Sequence, residues 1–300
     1  MYHKPVMLRE SLEGLNIKPE GIYVDATFGG GGHSKAILQE LKNGKLYAFD
    51  QDEDAQNQVQ KHENLVFTRA NFQFIHQYMK LYGTGPVDGL LADLGISSHQ
   101  IDEPGRGFST RWDGPLDMRM NTAAGQTAAE VVNQYSEADL HKILGMYGEL
   151  KNARSLALGL VKARSKQKIN TTEDLKKVAM PLAPRGKEFK YLAQVFQALR
   201  IEVNQEMEVL QNLLRQCTDL IKPGGRLVIM SYHSLEDRMV KHFVQTGNVE
   251  GNLHKDLYGN IIRPFEPITR KPLEASPEEV VLNPRARSAR LRIAERNGLR

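Results

Sequence analysis

The sequence predicts an α/β protein built on an open, mostly parallel sheet, with a helical subdomain set into the chain. Three observations predict it. Strand-like segments recur with helical stretches between them, the pattern of a parallel sheet with right-handed crossovers. The first strand runs into four consecutive glycines that open a helix. One connection, from Asp93 to Gly225, exceeds 130 residues, whereas a whole βαβ unit takes roughly 30.

In chain order, Gly21–Val24 reads as a short buried strand ending at Asp25, and Ser34–Leu41 as a helix with apolar residues at helical spacing. Further strands are predicted at Lys45–Asp50, Leu65–Thr68 and Val87–Asp93. The surplus connection reads as helical. Ser136–Asp139 and Thr171–Asp174 have the form of capping boxes, Glu149–Lys162 is amphipathic, and one long helical pattern runs from about Lys187 to Ile221. Pro223-Gly224-Gly225 then stops that helix and starts a strand over Gly225–Ser231. The expected layout is a discontinuous α/β domain, 1–103 with 199–300, interrupted by a helical domain at 104–198. Five prolines between Pro264 and Pro284 forbid long helices near the end. There Val280–Leu282 and Ala289–Ile293 are expected as strands of a closing hairpin.

Composition excludes several classes. Apolar and charged fractions are ordinary for a globular protein, and no apolar run approaches the ~20 residues of a membrane span. The first residues lack the layout of a signal peptide. The single cysteine, Cys217, excludes an internal disulfide and fits a reducing cytoplasm. Neither Cys-x-x-Cys nor His-Glu-x-x-His occurs, so no metal site is expected. Net charge is +4, and the segment from Arg263 to Arg300, with nine Lys/Arg against five Asp/Glu, accounts for all of it. A second basic run holds Lys162, Arg164, Lys166 and Lys168. Either run alone reads as a solvated face; together they point to a polyanionic partner. The expectation is that removing 284–300 weakens binding of that partner and spares any ligand held by the glycine loop. Nothing in the composition fixes the oligomeric state, a homodimer included.

What the glycine loop holds is decided by the acids around it. A dinucleotide site wants G-x-G-x-x-G with a ribose-binding acid about 20 residues on; the glycine spacing half fits, and Asp50 is near the offset. A P-loop is excluded because no Gly-Lys-Ser/Thr follows. S-adenosylmethionine carries an ammonium, a sulfonium and a ribose diol and no phosphate, so it wants acceptors at strand ends. Asp25, Asp50 and Asp93 end three of the predicted strands. Asp25 is expected to take the ammonium, directly or through water, and Asp50 the diol. An acid as close as Asp25 would repel a pyrophosphate. Phe72 reads as an adenine-stacking ring or as core, Gln100 as a ligand to ribose or methionine atoms or as surface, and His33 as a structural ring or a ligand contact.

Two strand ends carry the remaining polar groups. Leu94-Gly95-Ile96-Ser97-Ser98-His99-Gln100 follows Asp93, and Tyr232-His233-Ser234-Leu235-Glu236-Asp237-Arg238 follows Ser231. Ser97 and Ser98 read either as an N-cap pair or as acceptors for a substrate amine. Ser234–Asp237 reads as a capping box, and Tyr232 and His233 as candidates to stack on a substrate base.

With these residues in view the chain resembles a known family, the small-subunit ribosomal RNA cytosine-N4 methyltransferases. The resemblance rests on His3-Lys4-Pro5-Val6, on Asp25–Ser34, on Asp93–Ser98, on Arg106-Gly107-Phe108-Ser109 and on Pro115-Leu116-Asp117-Met118-Arg119. It continues through Phe196–Ile201, Ser231–Arg238 and Asn283–Arg292, and so covers nearly the whole chain. It implies a class I S-adenosylmethionine-dependent methyltransferase fold with an inserted helical domain for RNA recognition. It implies methylation of a cytosine N4 amine in the decoding region of bacterial 16S rRNA, free or in the small subunit. It assigns cofactor contacts to Gly31, Gly32, His33, Asp50, Phe72, Asp93 and Gln100; Asp25 is added by the residue-level reading alone. Gly30 stands where some relatives carry a larger residue, which implies a more flexible loop. Catalytic candidates are Asp93, Ser97, Ser98, Tyr232 and His233, because acceptors on the amine protons favour attack by nitrogen. Many amino-methyltransferases place Asp/Asn-Pro-Pro-aromatic after the corresponding strand. Here the sequence is Asp93-Leu94-Gly95-Ile96-Ser97, which leaves stacking to Tyr232 or His233. The rival readings are a dinucleotide-dependent oxidoreductase and a non-catalytic RNA-binding or assembly protein.

Overall fold

A computed structural model describes residues 5–298, so His3 and Lys4 of the N-terminal motif and Arg300 lie outside the described residues. The chain divides into two compact units, one running to Gly95 and resuming at Met207, the other Ile96–Glu206. The expected limits, 104 and 198, both fall inside the second unit. The short helix Ser98–Asp102 and the end of the helix Glu188–Asn204 belong to it as well.

The first unit is an eight-stranded sheet. Its strands are β1 (Ile22–Asp25), β2 (Lys45–Asp50), β3 (Leu65–Arg69), β4 (Val87–Asp93), β5 (Ile221–Ser231), β6 (Phe265–Pro267), β7 (Leu273–Glu274) and β8 (Arg290–Arg296). The order is β3-β2-β1-β4-β5-β8-β6, with β7 also on β8. The pairs among β1 to β5 are parallel, and β8 is antiparallel to β5, β6 and β7. Continuous apolar runs such as Leu90-Leu91-Ala92 are what a strand covered on both faces requires. Successive residues point to opposite faces: Leu90 and Leu227 join one core cluster with Leu213 and Phe243, while Leu91 and Val228 join another with Leu15 and Ile37. β1 lies between β2 and β4. Its exit loop and that of β4 therefore leave in opposite directions and open a crevice at the carboxyl ends of the two strands.

The second unit packs its helices around a core that includes Val131, Leu144, Leu156, Leu175, Val195 and Leu199. Thr171 forms a capping box with Asp174, as expected, and Ser136 accepts from the Asp139 amide. Two motifs of the resemblance are built into each other here. Arg106 Nη2 donates to the carbonyls of Arg119 and Met120, and its carbonyl accepts from Met118 N. Asp117 holds Arg119 through both carboxylate oxygens. In the basic run, Arg164 donates to the Val132 carbonyl at 2.6 Å, while Lys162, Lys166 and Lys168 are exposed.

Four local expectations are corrected. The pattern from Lys187 to Ile221 is two helices, Glu188–Asn204 and Glu206–Leu220, because Gln205 adopts a left-handed conformation (φ 50°) that ends the first. β5 begins at Ile221, before the Pro-Gly-Gly turn, and its register against β4 shifts between Val87 and Gly89 to absorb that turn. Val280–Leu282 is no strand. It is the end of a helix, Pro277–Leu282, started by Ser276 accepting from the Glu279 amide, with Pro277 in the first turn.

The fourth correction is the arginine-rich end. It supplies β8, inside the sheet, over the stretch where the strand Ala289–Ile293 was expected, and three of its arginines are spent on the fold. Arg292 Nε and Nη2 donate to Asp237 at 2.7 and 3.1 Å, and Arg290 joins them at 3.3 Å. Arg296 donates to the carbonyls of Thr218 and Pro264. Burial alone would raise Asp237, but the hydrogen bonds and charges of Arg292 and Arg290 outweigh it and hold the carboxyl below its ordinary value. A chain ending at Asn283 is therefore expected to lose cooperative unfolding in calorimetry and cofactor binding with it. A sharp transition in that truncation would return the segment to a detachable tail.

Candidate functional site

The crevice is built on β1 and its loop. Asp25, 1% exposed, ends β1. Its Oδ2 accepts from Ser34 Oγ at 2.6 Å and its Oδ1 from Thr27 N at 3.1 Å. The carboxylate thus ties the loop to the helix Gly32–Glu40. It is enclosed and each of its oxygens already accepts a hydrogen bond, so Asp25 stands as the bracket of the loop rather than as an open acceptor in the crevice. Beyond it Phe28 N donates to the Phe49 carbonyl and Gly31 N to the Phe28 carbonyl, turning the chain back on itself. Gly31 caps the helix in a left-handed conformation (φ 74°), and a Cβ there would lie 2.7 Å from Phe28 Cζ. Only glycine fits. Gly32 follows as the first helical residue, next to the Pro5 ring, and Gly30 is exposed.

Asp50 ends β2 and faces the loop: Gly29 N donates to its Oδ2 at 2.7 Å and Asp52 N to its Oδ1 at 2.9 Å. Burial pushes its carboxyl up to about 6, although those two amides pull the other way. Phe72 sits in a single 3₁₀ turn after β3, packed on the core. Asn71 beside it donates to Gln51 Oε1, which joins this turn to the end of β2.

Asp93, His33 and Tyr232 come together. Tyr232 Oη donates to Asp93 Oδ1 at 2.7 Å, and His33 Nδ1 lies 3.9 Å from Asp93 Oδ2. His33 Nε2 is 3.1 Å from the Val6 carbonyl, which can only accept, so that nitrogen carries a proton and Nδ1 is left facing the carboxylate. Thr27 Oγ1 accepts the Asp93 amide at 2.7 Å, so the glycine loop also fixes the end of β4. Burial raises the Asp93 carboxyl above its ordinary value against the pull of His33 and Tyr232, and burial beside Asp93 pushes the Tyr232 phenol well up. Gly95, at φ 94°, lets the chain leave β4 close to the Tyr232 ring; a Cβ there would lie 3.5 Å from Tyr232 Cδ2.

His233 is the cap of the helix Ser234–Thr246, one residue earlier than the expected Ser234. Its Nδ1 accepts from Glu236 N at 3.4 Å, and its Nε2 is 3.2 Å from Glu236 Oε1. Glu236 also accepts from Tyr232 N at 3.0 Å. The sequence signal for this box, a polar residue three before an acid, was present in two registers, and the imidazole supplied the acceptor in the earlier one. Ser97, Ser98 and Gln100 belong to the helical unit. Ser97 and Gln100 form a reciprocal capping box, Gln100 N to Ser97 Oγ at 3.2 Å and Ser97 N to Gln100 Oε1 at 3.0 Å, and Ser98 is the first residue of that helix. The contributions that sequence reasoning missed are those of Pro5, which lies against Gly32, of Val6, which seats His33, and of Thr27, which seats Asp93. The signal for the first two was the His3–Val6 motif, conspicuous without any assigned role; Thr27 lies within the Asp25–Ser34 motif.

The buried acids test which ligand fits. Among the described residues no Lys or Arg pairs with Asp25, Asp50 or Asp93, and all three carboxyls are raised, chiefly by burial, with Asp25 pushing on the other two. A site in that state gains from a cation and repels a pyrophosphate. A sulfonium-and-ammonium ligand with a ribose diol fits it; a dinucleotide does not.

Sheet order, glycine loop and strand-end acids together define a class I methyltransferase, with S-adenosylmethionine as its methyl donor. The MraW methylase family matches residues 1–297. The chain is 60% identical over 298 residues, 99% of its length and 100% of the relative's, to a protein of Cytophaga hutchinsonii named ribosomal RNA small subunit methyltransferase H. A protein of the same name from Amoebophilus asiaticus is 56% identical over 300 residues, 99% of this chain and 97% of that one. A solved rRNA methylase from Streptococcus thermophilus is similar at 14% identity and a TM-score of 0.43, covering 99% of each chain. The chain belongs to the MraW methylase family.

Replacing Gly31 with Ala sets a Cβ against the Phe28 ring in a backbone conformation that costs an L-residue roughly 1–2 kcal/mol before any clash. The expected result is at least that loss in urea unfolding, with weaker binding of S-adenosylhomocysteine by calorimetry.

Proposed function

We propose that the chain methylates the N4 amine of a cytosine in the decoding region of bacterial small-subunit ribosomal RNA, in the cytoplasm. The observation that carries this reading is the Asp93–Tyr232 pair at the crevice floor, in a chain 60% identical end to end to a relative named for small-subunit RNA methylation. The resemblance of the Asp93–Ser98 and Ser231–Arg238 segments to cytosine-N4 enzymes supports the choice of base and atom.

Gly31, Gly32, His33, Asp50, Phe72, Asp93 and Gln100 would hold the cofactor. The glycine loop would give close backbone approach, Asp50 would accept from the ribose diol, and Phe72 would stack on the adenine. S-adenosylmethionine supplies a methyl group on a sulfonium, already a good leaving group. What falls to the protein is then alignment and handling of the amine protons. A cytosine amine is a weak nucleophile because its lone pair is delocalised into the ring. An acceptor on an amine proton localises that pair on nitrogen. Tyr232 donates to one oxygen of Asp93 and leaves the other for this purpose. Burial makes Asp93 a better acceptor than an ordinary carboxylate. The carbonyls of Leu94 and Gly95 and the hydroxyls of Ser97 and Ser98 are further acceptors. Tyr232 stacks on the base, and His233 holds its position by capping the helix behind it. The RNA presents the cytosine unstacked, as enzymes that modify bases require. The helical unit, with Lys162, Lys166 and Lys168 exposed, takes the RNA strand.

The test uses small ribosomal subunits that lack the modification, and the RNA extracted from them, with methyl-labelled cofactor. Label recovered as N4-methylcytidine after nuclease digestion is the expected result; label on another base, or none on either substrate, overturns the reading. Ionised Asp50 is the form that accepts from a diol, so cofactor affinity is expected to hold above pH 7 and to fall as pH drops through about 6. Calorimetry with S-adenosylhomocysteine on either side of that value checks it. Asp50→Asn should bind weakly at every pH and lose the dependence.

A further inference from the structure

Outside the crevice, the first unit carries a projecting turn beside a basic hollow. After the helix Ser234–Thr246 the chain passes through a narrow antiparallel loop, with a bridge between Lys255 and Ile261 and Ile262 N donating to the His254 carbonyl at 2.8 Å. Its tip is fixed by one side chain. Asp256 Oδ1 accepts from Tyr258 N and Asn260 N, both at 2.9 Å, and its Oδ2 accepts from Asn260 Nδ2 at 3.0 Å. This turn holds Leu257 at 102% exposure and Tyr258 at 90%. Two large side chains are thus presented to solvent by a turn that Asp256 holds from within.

Beside the turn lies an open hollow of about 700 Å³ lined by Lys241, His242, Arg263 and Arg270. Arg263 is paired with Glu266, the acid of the hollow. Among the described residues Lys241, Arg270 and the neighbouring Lys255 have no carboxylate partner. Leu253 and Ile261, on the two arms of the turn, line the same hollow as Lys241 and Arg270. One face thus carries the two components of a single-strand nucleic-acid surface: an exposed aromatic as stacking platform and unneutralised cations as a track for phosphates. Leu253, Leu257 and Ile262 are exposed here too, but the core of a protein-docking patch is depleted of the charge that Lys241, Lys255 and Arg270 bring to this surface.

We propose that the 252–262 turn and this hollow form a second RNA contact, in which Tyr258 stacks on an unpaired base and Lys241 and Arg270 hold the adjoining phosphates. The inference rests on the RNA substrate proposed above and adds to it a binding surface distinct from the residues assigned to the reaction.

The test compares the full chain with Tyr258→Ala and with the double variant Lys241→Glu/Arg270→Glu, all exposed or half-exposed positions, with thermal unfolding as a control for folding. Methyl transfer to unmodified small subunits is measured at several salt concentrations, and binding to the extracted RNA alongside. Each variant is expected to raise KM about tenfold with kcat and S-adenosylhomocysteine affinity unchanged. The double variant should also flatten the dependence of log KM on log salt, by roughly 0.7 to 0.9 for each phosphate that is no longer neutralised. An unchanged KM overturns the inference. So does a raised KM with an unchanged salt slope and unchanged affinity for extracted RNA, which would assign the surface to a protein of the subunit or a second copy of this chain. A wild-type chain that methylates neither substrate overturns the function proposed above and this surface with it; a wild-type chain active on subunits beside indifferent variants overturns this surface alone.

Discussion

The architecture of the site depends on one enclosed carboxylate. Asp25 accepts from the Ser34 hydroxyl and the Thr27 amide, and so joins the end of β1 to the first turn of the next helix. That bracket shapes the glycine loop. The loop then fixes its neighbours: Gly29 N reaches Asp50, and Thr27 Oγ1 accepts the amide of Asp93. Without Asp25 the two carboxylates that face the crevice have no common frame.

Burial acts on acids in two contrasting ways in this fold. Asp237 is enclosed with Arg292 and Arg290 against it, and its carboxyl is held below its ordinary value. Asp50 and Asp93 are enclosed without a Lys or Arg partner, and theirs are raised. Asp237 is finished as a structural ion pair; Asp50 and Asp93 are left needing positive charge or donors. Unneutralised buried acids at a crevice are a mark of function rather than stability. His33 does not cancel them. One of its nitrogens is fixed on the Val6 carbonyl, and the other stands 3.9 Å from Asp93.

Much of this was legible in the sequence because it is local. Strands buried on both faces show as apolar runs, so β1 to β4 were found near their true limits. The acids that end them were found with them. The glycine loop was found as the opening of the next helix; that Gly31 is its left-handed cap was not. What failed depends on distant partners. Arg290 and Arg292 look like a solvated basic tail until Asp237, more than 50 residues earlier, is seen against them. The break at Gln205 carries no glycine or proline to mark it. Val280–Leu282 has β-branched residues, yet Ser276 and Pro277 start a helix that includes them. Within the site, Asp25 was found but its bond to Ser34 was not, because sequence shows that an acid ends a strand but not that a serine nine residues on will enclose it. Tyr232 was found as a candidate to stack on a base; its bond to Asp93 spans 139 residues and has no sequence signal.

Asp25 acts through the fold, as the acceptor that joins Thr27 to Ser34. Asp25→Ala leaves the Ser34 hydroxyl and the Thr27 amide without their acceptor, at a cost of roughly 1–3 kcal/mol for each buried group. Denaturant unfolding of this variant, measured with and without saturating S-adenosylhomocysteine, decides the matter most directly. The predicted result is a loss of stability already present in the ligand-free protein. Unchanged stability without ligand, beside an affinity lost by orders of magnitude, would put Asp25 on the ligand and contradict the account.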